Sequence, residues 1–196
     1  MAPSPHIPGF ASEVFDSQAV FRQLLHAMAT PGRIMDLDIP LDVPAPLDPA
    51  AGALLLCLMD NDTPLWSDLK NASQSIQWLR LHTGAPYTRA PENAAFALYA
   101  EERPQDPSLF NPGTPESPHL STTLVAQAGG VNKKGRIRLT GPGIETETFL
   151  KLDGVAESFL ERRAAMARDY PLGVDMIFVC NRSFVALPRT TTMEFF

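Results

Sequence analysis

The sequence has few of the residues that most often bind metal ions and clusters. Its 196 residues include only two cysteines and four histidines. The cysteines, Cys57 and Cys180, each lie in an apolar run and are predicted to be buried, reduced thiols, as in proteins of a reducing compartment. Because an iron–sulfur cluster requires closely grouped cysteines, the chain is not expected to hold one. The histidines are scattered, and no metal site is predicted.

Lysine is scarce as well: the chain has only Lys70, Lys133, Lys134 and Lys151. A pyridoxal-phosphate enzyme needs a lysine for its Schiff base, in a pocket that also binds the cofactor's phosphate. Lys70 is predicted to lie in a loop. Lys151 alternates with apolar neighbours and is predicted to point to solvent. The sequence therefore argues against that cofactor, and no other cofactor is expected.

Short catalytic motifs are missing too. The sequence contains no His-Glu-x-x-His, Gly-x-Ser-x-Gly or Cys-x-x-Cys. Gly130 and Gly135 have the spacing of a phosphate-binding loop, but Arg136 and Ile137 stand where that motif requires Lys and Ser or Thr. No catalytic residue is therefore assigned, and a complete active site is not expected in the isolated chain.

The chain also lacks a basic excess and a long apolar segment. Its formal net charge of −6 argues against a nucleic-acid partner, because such proteins neutralise phosphates with an excess of cations. The longest apolar run, 53–59, is far shorter than the ~20 residues of a membrane-spanning helix. Residues 1–10 have no features of a signal peptide. We therefore expect a cytoplasmic protein that binds neither nucleic acid nor membrane.

Proline, by contrast, is abundant, and its 19 residues indicate many fixed turns. Residues 1–14 are predicted to be a flexible, Pro-rich arm, followed by a single domain over 15–196. The apolar patterns predict one helix that begins at Asp16 or Ser17, with Phe21, Leu25 and Met28, together with Val20 and Leu24, on its apolar face. Further helices are predicted over 50–59, 72–81 and 156–170, the last with Tyr170 inward. Strands are predicted over 33–39, 94–100, 121–127, 136–140, 148–152, 174–180 and 184–187.

This alternation of elements predicts an α/β three-layer sandwich with a mixed sheet. The strand over 184–187 is predicted to lie at a sheet edge, because Pro188 follows it. The Pro-rich stretch 101–119 is predicted to be a long surface excursion.

One local feature contrasts with the acidic composition. Lys133, Lys134, Arg136 and Arg138 place four cations within six residues. Strand periodicity puts Arg136 and Arg138 on one face, opposite Ile137 and Leu139. Such a patch is typical of a site for a phosphorylated ligand or an acidic partner, although a solvated strand face is an alternative. The turn with Gly141 and Gly143 follows directly.

His82 stands just after a predicted helix end. A histidine at this position either caps the last carbonyls or takes part in a site, and both interpretations stay open.

Several blocks of sequence, in order and with regular spacing, resemble one family. They are 21–32 (FRQLLHAMATPG), 58–60 (LMD) followed by Trp66, 82–84 (HTG), 121–124 (STTL), 139–144 (LTGPGI), 173–175 (GVD) and 186–191 (ALPRTT). Together they are similar to the PhnH family, the H subunit of the bacterial carbon–phosphorus lyase core complex. The resemblance extends over about residues 15–192.

The resemblance implies a role in the catabolism of organic phosphonates. The family's fold is similar to the large domain of pyridoxal-phosphate-dependent transferases, without the cofactor. Its members act with G, I and J subunits to displace adenine from a nucleoside triphosphate with an alkyl phosphonate, which gives ribose 1-phosphonate 5-triphosphate. A different subunit then breaks the carbon–phosphorus bond by radical chemistry. The resemblance thus implies a homodimer that binds sister subunits.

The sequence leaves two main functional hypotheses. The first is a structural or assembly subunit that forms a homodimer and docks a catalytic partner. The second is a phosphate- or nucleotide-binding subunit of the same complex, and a stand-alone pyridoxal-phosphate enzyme is a weaker third. The candidate ligand or partner surface consists of His82, Lys133, Lys134, Arg136, Arg138, Gly141, Gly143 and Arg189.

Overall fold

The computed structural model describes residues 7–101 and 106–196. Within them are the helices α1 (Glu13–Ala29), α2 (Pro49–Leu58), α3 (Gln74–Thr83) and α4 (Glu157–Met166). The strands are β1 (Ile34–Asp36), β2 (Leu65–Ser67), β3 (Phe96–Tyr99), β4 (Thr123–Gln127), β5 (Gly130–Thr140), β6 (Thr148–Asp153), β7 (Asp175–Cys180), β8 (Ser183–Leu187) and β9 (Thr192–Phe195).

The strands form two sheets. The larger sheet has six strands in the order β1-β8-β7-β4-β3-β2. Strands β7, β4, β3 and β2 are parallel to one another, whereas β8 and β1 are antiparallel to their neighbours. The smaller sheet, β6-β5-β9, is antiparallel. The prediction of a mixed α/β fold with a mixed sheet is therefore confirmed.

Apolar side chains are buried on both faces of the larger sheet. On one face, residues such as Val125 of β4 pack against α1, α2 and α3. On the other face, Leu124 and Ala126 pack against the smaller sheet and α4. Successive side chains of a strand point to opposite faces, so each central strand contributes to both cores.

The ends of two helices follow from local sequence. Pro49 occupies the first turn of α2, where its missing N–H costs no hydrogen bond. The side chain of Ser73 accepts a hydrogen bond from the Ile76 nitrogen at the start of α3. Gly84, with φ of 76°, ends this helix in the left-handed conformation. Both helices lie within two residues of their predicted bounds.

Helix α1 is rotated relative to the prediction. Its buried residues are Val20, Leu24 and Ala27, whereas Phe21 is 44% and Leu25 is 53% exposed. Each exposed residue follows a buried one, and one residue turns a helix by 100°. The predicted face is therefore confirmed at Val20 and Leu24 and wrong at Phe21 and Leu25. The helix also begins at Glu13, before the predicted start at Asp16 or Ser17.

Two further predictions were wrong near the carboxyl end. Strand β8 is not an edge strand, because it lies between β7 and β1. Pro188 follows its last residue and so leaves every ladder position of β8 available for pairing. Helix α4 ends at Met166 and a short 3₁₀ turn follows, which leaves Tyr170 64% exposed instead of inward. Strands β2 and β9 had not been predicted.

The described part of the predicted arm, 7–14, contacts α3 at Ile7, whereas Glu13 and Val14 already belong to α1. The indole nitrogen of Trp78 donates a hydrogen bond to the Ile7 carbonyl at 2.8 Å. The rest of the arm, 1–6, and residues 102–105 of the predicted excursion lie outside the described residues. Within 7–101 and 106–196, no helix has the length and apolar character needed to cross a membrane.

A buried arginine on α4 joins the two sheets. Arg163 is only 2% exposed, and its guanidinium donates to the carbonyls of Leu187, Pro188 and Thr191. Burial lowers the pKa of Arg163 to about 10 and nearby Asp175 partly counters this, so the side chain is still protonated at neutral pH. The three carbonyls belong to the end of β8 and the turn to β9. One side chain therefore fixes α4 against the crossing between the sheets.

The turn between β5 and β6 packs closely on the end of α1. A Cβ atom on Gly143 would lie 2.2 Å from the Ala29 carbonyl oxygen, and Gly143 has φ of 84°. Both the approach and the backbone conformation therefore require glycine.

Replacing Arg163 by methionine should destabilise the fold strongly. The substitution keeps an apolar stem but leaves buried carbonyls without donors, at about 1–3 kcal/mol for each unsatisfied group. We expect a loss of about 3 kcal/mol or more in the free energy of unfolding by urea. The control is Arg162→Met, since Arg162 is 57% exposed and pairs with Asp106, and it should cost under about 1 kcal/mol. Equal urea midpoints for the two variants would contradict this role of Arg163.

Replacing Gly143 by alanine should separate close approach from backbone strain. Gly154 has the same φ of 84°, but a Cβ there would meet only the Gly129 nitrogen at 3.4 Å and its α-carbon at 4.0 Å. Gly154→Ala should therefore cost about 1–2 kcal/mol, as expected for a left-handed residue, and Gly143→Ala clearly more. Thermal unfolding of both variants checks this, and the close-approach argument fails if the two lose the same stability.

Candidate functional site

Strand β5 carries the cationic residues, and a long bulge interrupts its pairing with β6. Asn132 pairs with Lys151, and Ile137 pairs with the adjacent β6 residue, Leu150. The four residues 133–136 therefore have no partners on β6. Bulges of this kind redirect side chains and occur often beside functional sites. We call this segment, 133–136, the β5 bulge.

Contacts between the backbone of the bulge and neighbouring residues hold the bulge in place. The Lys134 nitrogen donates to the side chain of Asn132 at 3.1 Å. A Cβ atom on Gly135 would lie 1.9 Å from the Leu150 carbonyl oxygen, so no larger residue fits without a shift of the backbone. The Arg136 carbonyl accepts a hydrogen bond from the Phe196 nitrogen at 3.1 Å. The bulge is therefore an ordered part of the sheet.

Three of the four bulge residues are cationic: Lys133, Lys134 and Arg136. All three are exposed. Within residues 7–101 and 106–196, none of their side chains forms an ion pair or a hydrogen bond. The bulge thus presents positive charge that the described chain does not neutralise.

Arg138 differs, although it shares a strand face with Arg136. Its guanidinium pairs with Glu147 at 2.7 Å and Glu194 at 2.9 Å, and these carboxylates, Glu147 first, raise its pKa. Ile137 and Leu139 are buried on the opposite face, so the predicted alternation is confirmed. Arg138 therefore links β5 to β9 and to the residue that precedes β6.

A groove of about 330 Å³ opens between the bulge, β6 and α4. Lys134 and Arg136 line it from the bulge, and Lys151 lines it from β6. Glu157, in the first turn of α4, is the acidic residue among those that line it. Lys151 pairs with Asp153 at 2.7 Å. Apolar residues complete the groove, among them Leu150, Leu152, Leu160 and Phe195.

The glycines predicted for this surface lie beyond the other end of β5. A Cβ on Gly141 would be 2.9 Å from the Thr190 carbonyl oxygen, and one on Gly143 would meet the end of α1. The structure therefore places both in a packed turn that follows β5, after Thr140, and not at the bulge.

His82 is not brought together with the strand cations. It lies on α3, where its Nε2 is 3.3 Å from the Ile7 carbonyl oxygen and its ring packs edge-on against Trp78. Helix α3 packs on one face of the larger sheet and the smaller sheet packs on the other. The larger sheet therefore lies between His82 and the bulge.

Arg189 is engaged within the fold. Its guanidinium pairs with Asp175, and both side chains are only 15% exposed. The same guanidinium donates to the Ser121 hydroxyl and to the Pro118 carbonyl. Arg189 therefore holds the segment that precedes β4 against β7.

The two cysteines are unpaired and half-buried, so each is more exposed than predicted. Burial raises the pKa of both thiols, with further contributions from Asp48 and Asp153 at Cys180. Among the described residues, no group of three or more His, Cys, Asp and Glu side chains is arranged to hold a metal ion.

The sequence did not indicate the groove wall. Lys151 was predicted to point to solvent, and Glu157 was not singled out. Only the bulge and the position of α4 bring these residues to the same groove as Arg136. Nothing in the local sequence around either residue signals this proximity.

Comparison with known proteins identifies the family of this chain. Residues 8–194 match the family model described as bacterial phosphonate metabolism protein (PhnH). The chain is 36% identical over 188 residues, 94% of each chain, to the alpha-D-ribose 1-methylphosphonate 5-triphosphate synthase subunit PhnH of Rhizobium meliloti (strain 1021). It is 33% identical over 179 residues, 89% of this chain and 84% of the relative, to HtxG of Stutzerimonas stutzeri, which is named as a C-P lyase subunit. The chain belongs to the PhnH family.

Proposed function

We propose that this chain is an accessory subunit of a carbon–phosphorus lyase system in the catabolism of organic phosphonates. In this role it supports formation of ribose 1-phosphonate 5-triphosphate from a nucleoside triphosphate and an alkyl phosphonate. The observation that carries the proposal is the match to a synthase subunit across 94% of both chains. At 36% identity, such coverage leaves little room for a different domain arrangement.

The proposal includes sister subunits of the G, I and J types and a location in the cytoplasm. It also includes a fold like that of the large domain of pyridoxal-phosphate-dependent transferases, without their cofactor. The role is one of assembly: the chain contributes shape and contacts to a catalytic centre that its partners complete.

A second copy of the chain is the proposed partner of α1. The exposed residues Val14, Phe21 and Leu25 follow an a/d-type spacing with Gln18 between them, and Phe15 extends the apolar surface. An exposed apolar stripe of this kind, interrupted by Gln18, is typical of an interaction surface. We call residues 14, 18, 21 and 25 the α1 stripe.

The charges beside the α1 stripe favour an antiparallel pair. Glu13 and Asp16 lie in the first turn of α1, whereas Arg22 and His26 lie toward its end. If two α1 helices pack antiparallel across a two-fold axis, the acidic start of each lies beside the basic end of the other. Such a contact is self-complementary, as a homodimer requires.

Replacing Leu25 by glutamate should break this dimer. The substitution places a charge within the apolar contact, where it loses hydration without gaining a partner. We expect light scattering after size exclusion to give a dimer for the unmodified chain and a monomer for Leu25→Glu. The control is Leu81→Glu, because Leu81 is 64% exposed on α3, outside the stripe, and it should remain dimeric. A monomeric unmodified chain at micromolar concentration would refute the dimer.

The assembly role predicts that the chain has no turnover alone and is required by its sister subunits. We expect adenine release from a nucleoside triphosphate and an alkyl phosphonate only when this chain is mixed with G-, I- and J-type subunits. Chromatography of the released base measures the reaction, and native mass spectrometry through a tag on this chain should recover the sister subunits. The proposal fails if the sister subunits react equally fast without the chain.

A further inference from the structure

We propose that the groove between the β5 bulge and α4 binds a small organic phosphate or phosphonate, with its anionic group on Lys134 and Arg136. This inference rests on the proposed function only in placing the chain among phosphonate proteins. The binding site itself is argued from the groove.

The charge of the groove favours an anionic ligand. The side chains of Lys134 and Arg136 have no ion-pair or hydrogen-bond partner within the part of the chain that the structure describes. Arg138, on the same face of the same strand, is neutralised by two glutamates. The fold thus neutralises one strand arginine and leaves the one at the groove available. An arginine next to a lysine is suited to a phosphate-type group, since the guanidinium binds two oxygens at once.

The construction of the bulge holds its cations in position for a ligand. Four residues without partners on β6 are more than a sheet needs to twist or bend, and a glycine in close contact with the Leu150 carbonyl fixes the loop. Lys134 and Arg136 flank that glycine. The backbone therefore holds the two cations near one another, which reduces the conformational entropy lost when both bind one anion.

The size and lining of the groove are suited to a small organic anion. Its volume of about 330 Å³ lies at the lower end of the range for small-molecule sites, roughly 300–1,000 Å³. Leu150, Leu152 and Leu160 are buried, so its accessible apolar lining comes from Val155, Phe195 and Phe196. The cations stand at its side. A ligand with an anionic end and an apolar or aromatic body matches this lining, whereas an inorganic anion would use only half of it.

Glu157 sets a condition on the ligand. Its carboxylate lines the same groove and repels an anion, so the anionic group must lie on the bulge side. Removing this charge should therefore strengthen anion binding, in contrast to removal of the cations.

Calorimetric titration of the full chain with a nucleoside triphosphate and with inorganic triphosphate tests the site. We expect saturable binding of both, with the nucleotide bound more tightly because its base contacts the accessible apolar lining, Val155, Phe195 and Phe196. The variant Lys134→Gln/Arg136→Gln should weaken binding of both about 100-fold, that is, about tenfold for each charge-assisted contact removed. Glu157→Gln should tighten binding of inorganic triphosphate several-fold.

The matched control is Arg138→Gln, which removes one cation from the same strand and the same face without altering the groove. Its affinity for both probes should equal that of the unmodified chain, and circular dichroism should confirm that all variants fold. The proposal is overturned if neither probe binds, if the double variant binds as tightly as the unmodified chain, or if Arg138→Gln weakens binding equally. Equal affinity for the two probes would refute the apolar half of the site. Failure of this titration leaves the assembly experiment unaffected, so the two proposals can fail separately.

Discussion

The buried guanidinium of Arg163 is the constraint on which the two-sheet architecture depends. The chain leaves the larger sheet at the end of β8 and enters the smaller sheet at β9 within a few residues. Such a tight crossing turns carbonyl groups into the interior, where no strand can pair with them, and unpaired buried carbonyls are costly. Arg163 donates to three of them. The cost of burying its charge, visible in its lowered pKa, is offset by these contacts.

The groove is a consequence of the same constraint. Because Arg163 fixes α4 against the crossing, the first turn of α4 lies beside the β5–β6 pair, and β9 can pair along β5. Arg189, within the same crossing, reaches Asp175 on β7 and so ties the larger sheet to it. The β5 bulge then has a fixed wall opposite it. The proposed binding groove therefore depends on contacts made by residues outside it, Arg163 and Arg189, which are far from the β5 bulge in sequence.

The surfaces proposed for function are distinct in chemistry and in place. The α1 stripe is apolar and lies on the helical side of the larger sheet, whereas the bulge is cationic and lies on the other side. A subunit of an assembly needs at least one surface for partners, and these positions allow a second copy and a ligand to bind without competition. The family to which the chain belongs gives the context, and the contacts of individual residues give the two sites their separate tests.

The sequence by itself determined most of the elements, the class of fold and the family. Helix starts such as Asp48-Pro49, helix ends such as Gly84 and the alternation around Ile137 depend on neighbours a few residues away, so local patterns are sufficient to find them. Only the tertiary structure decided which side of α1 is covered, that Arg163 is buried, that β8 lies inside its sheet and that Arg136 faces a groove. Periodicity shows which residues share a face. It does not show which distant element packs on that face, because strand register and helix docking depend on contacts far apart in the chain.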